Sequence, residues 1–115
     1  MKNTFEFEGQ SIEKGVLVAA LKEKGLDDPG ASEELMAWLR GVEDEADREN
    51  TSRANIEADI EKARLFAEAG IMDEARDYYG MARYAAYCDN EKELFEQIDK
   101  EMEGLSTRIN NEKEN

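Results

Sequence analysis

Apolar residues return along most of this chain every three or four positions, the spacing that gathers them on one face of an α-helix. Leu35, Leu39, Val42 and Ala46 make one stripe, with Trp38 beside it. Ile56, Ile60, Ala63 and Ala67 make a second, flanked by Leu65 and Phe66. Ala75, Tyr78, Tyr79, Ala82 and Ala86 make a third. Leu94, Ile98, Met102, Leu105 and Ile109 make a fourth, with a period near 3.6 rather than a strict heptad. Ahead of these, Val16, Leu17, Ala20 and Leu21 predict a first helix from about Ile12 to Lys24, capped by Ser11 and stopped by Gly25. Ser32, followed by Glu33 and Glu34, predicts the start of the second helix, which should reach at least Glu45. Residues 47–53 contain no large apolar side chain and fit an exposed helical extension or a loop equally well. Gly70 should end the third helix, Met72–Asp73 open the fourth, and Asp89-Asn90 break it. The expected core includes Leu35, Leu39, Val42, Ile60, Phe66, Ala75, Tyr79, Ala82, Leu94 and Ile98.

Only Thr4–Glu8 alternates apolar and polar positions, and Gly9 follows it. It reads as a short strand or extended arm over residues 1–10, with no second convincing strand to pair with it. Phe5 and Phe7 would then lie on the helices. The polar end, residues 110–115, reads as a frayed tail. Nothing resembles a linker, so residues 1–115 are expected to form a single domain. The fold class is all-α: five helices behind a short extended N-terminal arm.

From Ile56 to Asp89 the small and aromatic positions are Ala63, Phe66, Gly70, Ala75, Tyr79 and Ala82. This segment resembles a tetratricopeptide-repeat unit, a helix–turn–helix of about 34 residues. Ala-Gly-Ile-Met-Asp-Glu-Ala (69–75) carries the likeness best. Only one copy is present, Lys62 stands where the family prefers a large apolar residue, and Tyr87 stands where it often has proline. The resemblance implies an antiparallel helical hairpin whose first helix presents Glu57, Ile60, Glu61, Arg64 and Glu68 on the inner face. It also implies a function as an adaptor or assembly module that binds a peptide or a partner helix. The Lys/Asn set that clamps a peptide carboxylate is missing, so a basic peptide suits this face better.

Charge changes the picture more than any motif. The 115 residues hold 29 Asp and Glu against 15 Lys and Arg, no histidine, and a net charge of −14. Nucleic acid and anionic lipid repel such a chain, and basic protein surfaces attract it. No direct nucleic-acid or membrane binding is expected. The longest apolar run, Val16–Leu21, is too short to span a bilayer. The N-terminus lacks the apolar run of a signal peptide. Cys88 is the only cysteine and allows no internal disulfide. These features together point to the cytoplasm, of a host cell if the protein is viral.

Chemistry is sparse. Without histidine and with one cysteine there is no zinc set, no EF-hand spacing, no phosphate loop and no cofactor motif. Cys88 lacks a base, and Asp89 and Glu91 beside it disfavour the thiolate, so it reads as a buried or half-buried small apolar residue. No catalytic residue is assigned, and an enzyme is not expected. What stands out is two rows of acids. One is Glu43, Asp44, Glu45, Asp47 and Glu49, extended by Glu57, Asp59 and Glu61. The other, on the last helix, is Glu93, Glu96, Asp99 and Glu103, with Glu91 and Glu101 beside it. Acids three or four apart on a helix lie about 5–6 Å from one another, roughly the spacing of phosphates along a nucleic-acid strand. In size, acidity and lack of catalytic residues the chain is similar to small phage-encoded inhibitors of the anti-CRISPR and DNA-mimic kind. That resemblance implies a non-catalytic inhibitor or regulator. Its acid rows would occupy a basic, nucleic-acid-binding surface on a protein partner, and a homodimer is compatible with it.

Overall fold

The protein is described by a computed structural model covering residues 4–7 and 10–114, with side chains described from Glu13 to Leu105. It is all-α, with five helices: α1 (Lys14–Lys24), α2 (Pro29–Glu49), α3 (Ser52–Glu68), α4 (Met72–Cys88) and α5 (Lys92–Glu114). The N-terminal arm is extended at β1 (Thr4–Phe7), but it does find a partner. It pairs antiparallel with β2 (Gln10–Glu13), with Phe5 opposite Ile12 and Glu6 opposite Ser11. Ser11 is therefore a strand residue and no helix cap. Helix α1 begins at Lys14 behind Glu13, whose side chain makes no capping bond. The expected packing of Phe5 and Phe7 on the helices lies outside the described side chains.

Helix ends follow local chemistry. The start of α2 is three residues earlier than Ser32: Asp28 accepts a hydrogen bond from the Ala31 N–H at 2.9 Å, and Pro29 takes the first helical position. Proline has no N–H to orphan there and its φ is already helical. Glu33 and Glu34 thus stand beyond the first turn. The apolar-free segment 47–53 is both things its sequence allowed. Helix α2 runs on to Glu49, Asn50 turns left-handed (φ 52°), and Thr51 caps α3 by accepting from the Ala54 N–H at 3.0 Å. Gly25 and Gly70 hold φ near 80° at the ends of α1 and α3, where a Cβ would be strained. Helix α5 continues through the polar residues 110–114 that composition alone assigned to a frayed tail.

The molecule measures 44 × 38 × 18 Å, a slab about two helices thick. Helices α3 and α4 form a tight antiparallel hairpin, closed by the Ala69–Ile71 turn. Ala63, Ala75 and Ala82 are fully shut off from solvent at their contacts, so the backbones approach closely. Phe66 and Tyr78 stack beside them, with ring centres 5.6 Å apart. Helix α5 packs on α4, and α2 packs on the other side of α3. One core runs through all five helices, from Leu17 and Leu21 to Ile98 and Leu105. Trp38, expected at the margin of its stripe, is among its most deeply buried members, and Leu39 is only half-buried. Val16 is exposed, because α1 turns only Leu17 and Leu21 fully inward.

Candidate functional site

Two adjoining hollows mark the surface on either side of α3. The first, between α2 and α3, has a volume of about 170 Å³ and is lined by Glu45, Ala46, Glu49, Ala54 and Glu57. The second, between α3 and α5, has about 200 Å³ and is lined by Glu57, Ile60, Glu61, Arg64 and Gln97. Glu57 belongs to both, so the two form one surface crossing α3. Helical spacing explains the lining: Glu57, Ile60, Glu61 and Arg64 follow one another at short helical intervals along one face of α3. Ile60 is buried beneath them, and the polar side chains surround it.

The one cation in the lining is engaged inside the fold. Arg64 Nε and Nη2 donate to the two carboxylate oxygens of Glu101, each at 2.8 Å, while Nη1 donates to Glu61 at 2.8 Å. Glu101 also accepts from the Tyr79 hydroxyl at 2.9 Å and from Gln97 at 3.1 Å. The hydrogen bonds to Glu101 raise the Arg64 pKa further, and burial together with the same carboxylate raises that of Tyr79. Burial pushes the Glu101 carboxyl up, but the donors on Arg64, Gln97 and Tyr79 outweigh it and hold the pKa below its ordinary value. Glu101 fills the bidentate edge and Glu61 takes a third of the five N–H donors, so Arg64 is committed mainly to the fold. Arg53 Nε, at the rim, donates to Glu57 at 3.1 Å, and Arg53 Nη1 lies 3.6 Å from Glu91. The surface stays acidic: Glu45 and Glu49 make no ion pair among the described residues. One oxygen of Glu45 is closed off from solvent without a hydrogen-bond partner.

The acid rows expected from sequence are thus divided. Asp44, Asp47 and Glu49 are exposed on α2. Glu43 is not free: it accepts from the buried Lys62 at 2.8 Å. Asp59 also turns towards Lys62, at 3.9 Å, and burial raises its pKa more than Lys62 lowers it. On α5, Glu93, Glu96 and Glu103 lie towards solvent, whereas Asp99 accepts from Arg83 at 2.6 Å. The rows ride on α2 and α5, with α3 packed between, and they form no continuous rod. What joins the two sides is α3, through Glu57 and Glu61. Sequence reasoning placed those two on the inner face of the hairpin, put Glu101 only with the acid row of the last helix and missed Gln97; both reach this surface because α5 folds back alongside α3. No local signal could supply that.

Cys88 is exposed, contrary to expectation. It lies two residues beyond Ala86, the last buried position of α4, and so about 200° around the helix from the buried stripe. Among the described residues no group of His, Cys, Asp or Glu could hold a metal ion, and no helix is long and apolar enough to cross a membrane. No family model matches this chain, and neither the curated proteins nor the solved structures contain a match to it.

Proposed function

We propose that this chain is a non-catalytic interaction protein that binds a basic surface of a protein partner through the acidic face centred on α3. The observation that carries this reading is the pair of hollows sharing Glu57, lined by Glu45, Glu49, Glu57 and Glu61, with the one lining cation already satisfied inside the fold. A surface so arranged attracts Lys and Arg and repels phosphate. The free acids of α2 adjoin it, and a partner whose nucleic-acid site is lined with basic residues suits both. Occupying such a site makes the protein an inhibitor or regulator of that partner. Counterion release then drives the association, as it does for nucleic acid. The hollows also favour a second reading, an adaptor that takes an extended basic peptide, because each has room for a side chain.

The test separates this face from bulk charge. Binding of a fluorescein-labelled peptide of alternating arginine and glycine is measured by anisotropy over a range of salt. Glu49→Lys with Glu57→Lys is compared with Glu23→Lys and Glu33→Lys, an equal charge change at exposed positions on α1 and the other end of α2. The first pair should weaken binding more and lower the salt slope by about one unit for each ion pair it removes. Equal weakening by both pairs would reduce the acid excess to a solubilising coat and remove the proposal. Displacement of this chain from a captured partner by DNA would favour the inhibitor over the adaptor.

A further inference from the structure

The longest stretch of the chain without an acid lies between Asp77 and Asp89, on α4. Its outer face is also the most apolar exposed surface described: Tyr84 is 72% exposed, Tyr87 69% and Met81 50%. Next to it, where α4 ends and α5 begins, is a cleft of about 460 Å³ walled by Ala86, Tyr87, Cys88 and Phe95. The Tyr87 and Phe95 rings stand 6.3 Å apart and tilted, while Arg83 covers the Phe95 ring at 4.5 Å and pairs with Asp99. Lys92 and Glu96 stand in the cleft lining, exposed and four residues apart on α5. They do not pair with each other or with any other described residue. Lysine preceding glutamate is the less favourable order for a pair along a helix, which leaves both groups available.

We infer that this cleft and its tyrosines form a two-fold dimer interface, and that its occupant is a second copy of this chain. Two copies at −14 repel each other wherever acids face acids, and the outer face of α4 is where they can approach at least electrostatic cost. In a two-fold contact the same patch serves both copies, so a pair between Lys92 of one and Glu96 of the other, the arrangement that opposes unlike charges, is made twice over. A patch carrying one uncommitted charge of each sign beside an apolar cleft is thus complementary to itself. Tyrosine and methionine are residues enriched in interface cores. The cleft shares no lining residue with the acidic hollows, so this inference does not rest on the proposed function. A dimer would leave both acidic faces open and present two to one partner.

Sedimentation velocity in reducing buffer, from low micromolar to submillimolar protein, reads the outcome. The native chain should dimerise reversibly. Lys92→Glu and Glu96→Lys should each weaken association at least about tenfold, because like charges then face each other at both symmetry-related contacts. The double exchange K92E/E96K should restore it. Cys88 is the only cysteine, so a short bis-maleimide should join two copies through it in the native chain and far less in K92E. Far-UV circular dichroism checks that each variant folds, as expected for exposed positions. A chain that stays monomeric throughout, a dimer indifferent to both single reversals, or a double exchange that fails to restore association would each overturn the inference.

Discussion

Lys62 is a lysine inside a helical core, and its surroundings set what removing its partner should cost. It is 5% exposed, donates to Glu43 at 2.8 Å, stands 3.9 Å from Asp59, and its ammonium lies 5.6 Å from the centre of the Tyr78 ring. A hydrogen bond to a charged group contributes about 1.5–3 kcal/mol. Glu43 keeps 59% of its side chain in solvent, which screens its half of the pair. Asp59 and the Tyr78 ring stay in place as partial substitutes. Glu43→Ala should therefore destabilise by about 1–2 kcal/mol, below the roughly 3–5 kcal/mol expected when a fully buried pair is broken. Glu43→Lys should cost about 2–3 kcal/mol, since the new ammonium can swing outward and avoid most of the repulsion. Lys62→Met should be within about 1 kcal/mol of the native chain, because a well-packed apolar residue relieves the desolvation that the ion pair must offset. Asp44→Lys, one residue along and fully outward, is the control at about 0.5 kcal/mol or less. Urea titrations of all four variants, and of E43A/K62M, would give the series and its coupling energy. If E43A is as mild as D44K, or if K62M costs more than E43A, the pair does not hold the α2–α3 seam in the way described. Glu43 is therefore part of the fold, whereas Asp44 and Asp47, exposed on the same helix, make no ion pair with a described residue.

Two further tests follow from the packing and the charge. Ala82 has no exposed surface where α4 meets its neighbours, so Ala82→Leu should overpack the hairpin and cost about 1–3 kcal/mol in chemical denaturation; an unchanged midpoint would contradict the close contact. For pH, the folded pKa of Asp59 is raised, so its contribution grows as pH falls through that value towards the unfolded one. The folded pKa of Glu101 is depressed, so its stabilisation is complete above the unfolded carboxylate pKa, about 4.3, and is lost as pH falls further. Melting temperature should thus hold or rise from pH 8 to about 5, where relief of the negative charge also helps, and fall below about 4.3. Glu101→Gln should blunt the acid-side fall, and a steep loss between pH 8 and about 5 would be the contrary result.

The stripes made the helices legible because each is long and has one apolar face. The acids did not obscure them, since Glu and Asp occupy the opposite faces. Gly25, Gly70 and Asp89-Asn90 were legible as stops for the same local reason, that a helix end needs a residue tolerant of positive φ or a free turn. What escaped depended on partners far away in the chain. Ser11–Glu13 looked like the start of a helix because Ser11 can cap one, and only pairing with Thr4–Phe7 makes it part of a strand. Lys62 looked like a fault in a repeat pattern until Glu43 arrived from α2. Cys88 looked like a small core residue because it has no base beside it, but its place two residues past Ala86 turns it off the buried stripe. The acidic rows were visible as rows, but which acids stay free depends on where Lys62, Arg64 and Arg83 fall, and spacing along one helix does not contain that.

The placement of the cations bears on what the acid excess is for. Lys14 reaches Glu68 from α1 to α3, Lys62 reaches Glu43 from α3 to α2, Arg64 reaches Glu101 from α3 to α5, and Arg83 reaches Asp99 from α4 to α5. Each of these ion pairs joins two helices, so these basic residues serve the seams of the fold. Acids are needed there only one or two to a cation. With 29 acids and 15 cations, one-to-one pairing throughout would still leave 14 carboxylates without an opposite charge. Among the acids with no ion pair to a described residue, Asp44, Asp47 and Glu49 crowd the outer face of α2 and Glu45 lines the hollow beside them, while others such as Glu23, Glu33, Glu93 and Glu96 stand elsewhere on the surface. Like charges at helical spacing cost a few tenths of a kcal/mol each. Folding gains nothing from that crowding, even with Arg48 and Arg53 beside it, and this is the support it lends to the binding role proposed for the face.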